Sequence, residues 1–254
     1  MTSRPLRAAA QVVVGLVAIA GVAYVVQQSL YVRPTPRDLT PTGGVPYAAA
    51  PVARPPAPAA AAAAAAPGVP VVDPGWLSRT ADAAGLSETA LGAYARAELS
   101  APADCGIGWT TLAGIGWVES HHGTLGDRTL GADGRPSRPI IGVALDGEGP
   151  VAAIRATPES TAYHGDEQWE HAVGPMQFLP ATWETWAADG DGDGVRDPHD
   201  LDDAALAAAG YLCAGGRDLT TGEGWTSAVL SYNPARVYVD DVHAAATAYA
   251  DRTA

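Results

Sequence analysis

The chain has no lysine among its 254 residues, only one phenylalanine, and two cysteines. The missing lysine leaves 15 arginines against 28 acids, and beyond residue 75 the balance falls to 10 arginines against 26 acids. Nucleic acid and anionic membrane surfaces both need clustered cations, so this acidic part excludes them as partners. An uncharged ligand, a cationic ligand or a bound metal fits better. The two cysteines, Cys105 and Cys213, sit in a part of the chain that reads as exported. There they predict a disulfide closing a loop of about 107 residues, which contributes up to roughly 4.7 kcal/mol in the chain-entropy picture. Two buried free thiols are the alternative.

Acid is nearly absent from the first 75 residues, which hold only Asp38 and Asp73. Arg4 and Arg7 precede an uncharged stretch over 8–32 that is apolar without a break over 12–26, the pattern of an export signal. Ala18, Ile19 and Ala20 offer a cleavage site, but the apolar run continues past it, which favours an uncleaved signal-anchor over residues 1–32. Residues 33–75 hold most of the prolines and an alanine tract over 59–66 with no periodic apolar face, the composition of a disordered tether. A globular domain is expected over 76–254. All seven tryptophans lie there. The whole implies an extracytoplasmic location in the cell envelope, membrane-anchored or secreted, with the membrane touched through the N-terminal segment only.

The periodicity predicts a mainly α domain with a small β component. Helices are expected over 76–84, 88–99, 109–122, 180–188, 203–214, 225–232 and 236–251, with Ser87 capping the second and Pro180 opening the fourth. Between the third and fourth, residues 124–172 are irregular, with apolar runs over 139–145 and 151–154 that suit a small hairpin across 146–149. An insertion of that length in a compact domain is usually functional.

The 109–122 stretch is the centre of the chain. It is apolar up to Val118, then carries Glu119, Ser120, His121 and His122 before Gly123, the expected C′ residue. A carboxylate in the last helical turn meets unpaired carbonyls, and burial beside Ile115 and the tryptophans adds to that cost. Both effects push its pKa up, and a carboxyl that stays protonated near neutrality serves as a general acid. His121 and His122 make a weak zinc pattern, since no third ligand stands at a recognisable spacing.

Two further stretches carry chemistry. Gly174 to Pro180 presents Gln177, whose amide has the donors and acceptor that sugar hydroxyls or an acetamido group require. Asp189, Asp191, Asp193, Asp197 and Asp200 fall at the spacing of an EF-hand-like calcium loop, with Gly194 at the sharp turn and Val195 offering its carbonyl. Asp200 stands where a longer glutamate is usual. A structural Ca2+ is the cofactor expected.

Taken in order, Glu119–Ser120 with Gly123, Met176–Gln177–Phe178, the Asp189–Asp200 loop, and Ser231–Tyr232–Asn233 with Tyr238 resemble the lytic murein transglycosylases. The resemblance covers about 76–254 and is nearest to the membrane-bound B type, in its exported actinobacterial forms. It implies a lysozyme-like fold and cleavage of the β-1,4 bond between MurNAc and GlcNAc of peptidoglycan glycan strands, leaving 1,6-anhydroMurNAc ends. Glu119 would be the sole acid and base. Ser120, Gln177, Tyr232, Asn233 and Tyr238 would bind substrate, and the acidic loop would bind calcium. A monomer is expected. The chain departs from the family pattern at Pro234–Ala235, where a serine commonly follows Tyr-Asn. Two rival readings stand beside this one: a hydrolytic muramidase in which Asp166 or Glu159 activates water, and a non-catalytic, calcium-stabilised wall-binding module.

Overall fold

The computed structural model describes residue 55 and residues 68–148 and 152–254. The expected signal-anchor over 1–32 and most of the tether lie outside these residues. Among the described residues no helix is long and apolar enough to cross a membrane.

Among the described residues eight helices run in order: α1 (Pro74–Ala84), α2 (Glu88–Ser100), α3 (Trp109–Ser120), α4 (Pro158–His164), α5 (Pro180–Trp186), α6 (Leu201–Cys213), α7 (Gly222–Tyr232) and α8 (Arg236–Thr253). Their starts follow local capping chemistry. Asp73, Ser87, Thr157, Asp200 and Thr221 each accept a backbone N–H in the first turn of the helix they precede. Pro74, Pro158 and Pro180 open their helices where a missing N–H costs nothing.

The core wraps α3. Every residue of that helix is buried except Trp117, so it is apolar on all sides because neighbours cover all sides. Helix α8 lies closest, and a Cβ at Gly114 would sit 2.8 Å from the Val242 carbonyl of α8. Gly116 has a different job: a Cβ there would collide with the Tyr94 hydroxyl of α2. Helix α6 packs on α2, where Arg96 forms an ion pair with Asp202. Cys105 and Cys213 form a disulfide with their Cα atoms 5.4 Å apart, tying the approach to α3 to the end of α6.

Three expectations are corrected. The central helix ends at Ser120 and not at His122, because His121 already adopts φ 52° and closes the helix, its N–H and that of His122 donating to the Trp117 and Gly116 carbonyls. Helix α4 falls in a stretch with no apolar periodicity; its signal is a reciprocal cap between Thr157 and Ser160 on either side of Pro158. Third, the insertion shows isolated antiparallel bridges among its described residues instead of strands, with residues 149–151 outside them. Asp146 pairs with Ala153, Arg155 with Trp169, and Ile141 with Val173, so three short segments are knitted together where two were expected.

Candidate active site

Glu119 is held from α8. The Tyr238 hydroxyl donates to its Oε1 at 2.6 Å, while its Oε2 is buried with no hydrogen-bond partner. The residue is 7% exposed, and burial pushes its pKa up to about 8, a shift that the Tyr238 hydrogen bond partly opposes. Tyr238 is itself driven well above the ordinary tyrosine value by burial and by the neighbouring Glu119, so it remains a donor. The site therefore presents one protonated carboxyl near neutrality, fixed through one oxygen with the other left free.

The residues around it divide into those that build the site and those with groups left to offer. Ser120 builds: its hydroxyl donates to the Pro175 carbonyl at 2.6 Å and accepts the Gly123 N–H at 2.8 Å, stitching the end of α3 to the 174–178 turn. Tyr232, at the end of α7, donates to the Met176 carbonyl of the same turn at 2.7 Å. Its ring meets Phe178 and Tyr211 edge-on. Asn233 is buried and accepts the Ala235 N–H at 3.0 Å, which shapes the step from α7 into α8. Gln177 differs. It is half-buried and adopts φ 50°, an uncommon backbone for a residue with a side chain, and its Nε2 donates to the Gly174 carbonyl. That bond fixes the amide and aims its Oε1 toward Gly142 in the insertion.

Of the acids in the insertion, Asp166 and Glu170 are tied to histidines and Glu159 is exposed. Asp166 accepts from Gln168 and Trp169 N–H groups and pairs with His171 at 3.1 Å, which holds its pKa down at about 2. Such an acid is a poor base. Glu159 is exposed in the first turn of α4, and Glu170 is bound by His164 at 2.8 Å.

The acidic loop separates into two groups. Asp189, Asp191 and Asp203 bring carboxylate oxygens within 4.8 Å of one another. Asp193, Asp197 and Asp200 instead face Arg135 from the insertion, at 4.0, 3.4 and 3.5 Å. Asp200, expected as the last ligand of the loop, caps α6 by accepting the Asp202 N–H through Oδ1, and its Oδ2 faces Arg135. Asp203, three residues on, projects back from the first turn of α6 and accepts the Gly190 and Asp197 N–H groups at 2.6 and 2.8 Å. Burial, with Asp191 and Asp189 adding repulsion, pushes its pKa up to about 6. The expectation missed Asp203 because it followed the standard loop length; the signal was an acid in the first turn of the following helix. Three converging carboxylates suit a hard cation with oxygen ligands. The loop also touches the site, since a Cβ at Gly174 would collide with the Pro198 carbonyl.

Residues 162–247 match the family model described as Transglycosylase SLT domain. The matched span contains Gln177, the acidic loop, Tyr232 and Tyr238, and begins after Glu119. It is a likeness to the transglycosylase family over that part of the chain. No curated protein and no solved structure matches the chain.

Proposed function

We propose that the protein is a peptidoglycan lytic transglycosylase that uses Glu119 alone as acid and then base. The observation that carries this reading is the buried Glu119 carboxyl, raised to about 8 with Oε2 unpartnered, in a chain that matches the transglycosylase domain model. Protonated Oε2 gives its proton to the bridging oxygen as the bond from MurNAc C1 to that oxygen breaks, releasing GlcNAc with a free O4 hydroxyl. The 2-acetamido oxygen of MurNAc stabilises the electron-poor C1, the role a second carboxylate plays in most glycosidases. The Glu119 carboxylate then takes the proton of the C6 hydroxyl as O6 bonds to C1, closing the 1,6-anhydro ring. Glu119 ends protonated, ready for the next bond, and no water is consumed.

In this reading Tyr238 positions Glu119, Ser120 and Tyr232 hold the 174–178 turn, Asn233 shapes the α7–α8 corner, and Gln177 is the group with an amide oxygen to offer sugar. Ca2+ is the cation that suits the loop, with Asp189, Asp191 and Asp203 holding it and Arg135 facing the remaining three acids. Its role is structural, since the loop braces the Gly174 turn. The same reading places the domain outside the cytoplasm, tethered by residues 33–75, acting as a monomer. Its likeness to the B type rests on the order of motifs.

The test is a digest of purified peptidoglycan read by mass spectrometry, with Glu119→Gln beside the wild type. Anhydro-muropeptides from the wild type and none from the variant are expected. Products about 18 Da heavier, as added water gives, would mark a hydrolase instead. Equal digestion by both proteins would remove Glu119 from the chemistry.

A further inference from the structure

Immediately beyond Glu119 the chain makes an unusual exit. His121, His122 and Gly123 take φ values of 52°, 57° and 84°, three consecutive left-handed residues of which two carry side chains. Non-glycine residues hold that conformation only where their surroundings fix it. The surroundings of His122 do so. It is 7% exposed, its Nδ1 lies 2.9 Å from the Tyr94 hydroxyl of α2, and its Nε2 lies 2.8 Å from the Tyr249 hydroxyl of α8. Both tyrosines are buried. Gly116, one turn before Ser120, leaves the space that the Tyr94 hydroxyl occupies in this arrangement.

Burial, with His121 adding to it, lowers the His122 pKa to about 3, so the ring is neutral. A neutral imidazole has one donor and one acceptor, which two tyrosine hydroxyls satisfy completely when one donates and the other accepts. His122 is thus saturated and has nothing left for substrate or metal. Its neighbour His121 is engaged elsewhere, stacked on Trp117 at 4.0 Å between ring centroids.

We propose that His122 is a positioning residue for Glu119: clamped between Tyr94 and Tyr249, it fixes the left-handed exit of α3 and with it the last helical turn that aims the carboxyl. This rests on the reading of Glu119 as the acid. Glu119 is one residue from the helix end, and only one of its oxygens is held, by Tyr238. Ser120 pins one side of that end through Pro175. His122 pins the other side, reaching from the exit to both flanking helices. If the clamp loosens, the last turn relaxes, water reaches Oε2, and the burial that keeps Glu119 protonated is lost.

The test uses the double variant Tyr94→Phe with Tyr249→Phe, which keeps both rings and removes both hydroxyls, and His122→Gln as a second, less disruptive change. Two readouts are taken on protein shown to be folded by circular dichroism: turnover on peptidoglycan, split into kcat and KM, and the titration of Glu119 followed by the carboxyl 13C resonance, assigned by its loss in Glu119→Gln. The expected result is a fall in kcat of about 10-fold or more with KM unchanged, and a Glu119 titration midpoint moved by a unit or more toward ordinary carboxylates. Reduced melting temperature with unchanged kcat and an unchanged midpoint in either folded variant would overturn the proposal and leave His122 as a core residue. The 13C readout does not depend on what the protein cleaves. A shifted midpoint in a protein whose wild type makes no anhydro product would refute the transglycosylase reading while leaving the clamp standing.

Discussion

Glu119 and the acidic loop both place carboxylates at a helix end, with different hydrogen-bonding outcomes. At the C-terminal end of α3 the carboxyl has one hydroxyl donor, no cation, and an oxygen with no partner. At the N-terminal end of α6 the carboxylates accept backbone N–H groups, and half of them also face Arg135. The helix end explains part of this: the Asp202 N–H belongs to α6, while the Gly190 and Asp197 N–H groups belong to the loop. Free N–H groups at an N-terminus solvate anions, whereas free carbonyls at a C-terminus repel them. Burial raises carboxyl pKa values at both, Glu119 to about 8 and Asp200 and Asp203 to about 7 and 6, but among the described residues only Glu119 keeps a buried carboxyl oxygen without a partner.

The comparison breaks most visibly at Glu119. Glu119→Gln should reduce turnover about 10³-fold, the range a general acid–base group contributes. The same change should raise stability at pH 8. The folded-state pKa of Glu119 lies near 8 and its unfolded value near 4.5, so the folded protein retains a proton that the unfolded chain gives up between those values. Stability is therefore lost as pH rises from about 4.5 to 8, by a few kcal/mol, and glutamine removes that loss. Thermal melts at pH 4 and pH 8 check it: the variant should gain on the wild type only at the higher pH.

The loop is next in size. Asp203→Ala should abolish the rise in melting temperature on adding Ca2+, of the order of 5 to 10 °C for a saturating ligand on a domain of this size. Asp200→Ala sharpens the division within the loop. It should keep the response to Ca2+ and lower the melting temperature by a few degrees with or without the ion, the cost of one lost helix cap. If the two variants exchange these behaviours, the ligand set drawn from Asp189, Asp191 and Asp203 is wrong.

Tyr238→Phe is a smaller change at the first site. It removes the one hydrogen bond that favours the ionised form of Glu119, so the alkaline limb of the activity profile should move above about 8, while kcat falls roughly 10-fold for want of a fixed oxygen. A limb that moves to lower pH would contradict the account of what holds the carboxyl. Asp166→Asn should do least, changing turnover by less than about threefold, because its low pKa and its ties to His171, Gln168 and Trp169 mark a loop fastener.

Much of this was legible in the sequence because the physics is local. The helices outside the insertion followed from periodicity and caps, and the raised pKa of Glu119 followed from an acid placed at the end of an apolar run. What escaped depended on tertiary reach. Ser120 and Tyr232 read as groups facing a cleft, yet each hydroxyl is consumed by a backbone carbonyl of the 174–178 turn, distant in sequence. Tyr238 read as a substrate contact, and only the packing of α8 on α3 shows it holding Glu119. Asp203 was obscured by a standard loop spacing that took no account of where α6 begins. Arg135 carried no motif, and nothing in its neighbourhood announced that it would face three aspartates.

The central claim is that one carboxyl serves both steps and that water takes no part. Digestion of peptidoglycan in 18O-enriched water tests it most directly. The account predicts new MurNAc ends that are 1,6-anhydro and carry no 18O. One 18O atom at C1 of each new MurNAc end would contradict it.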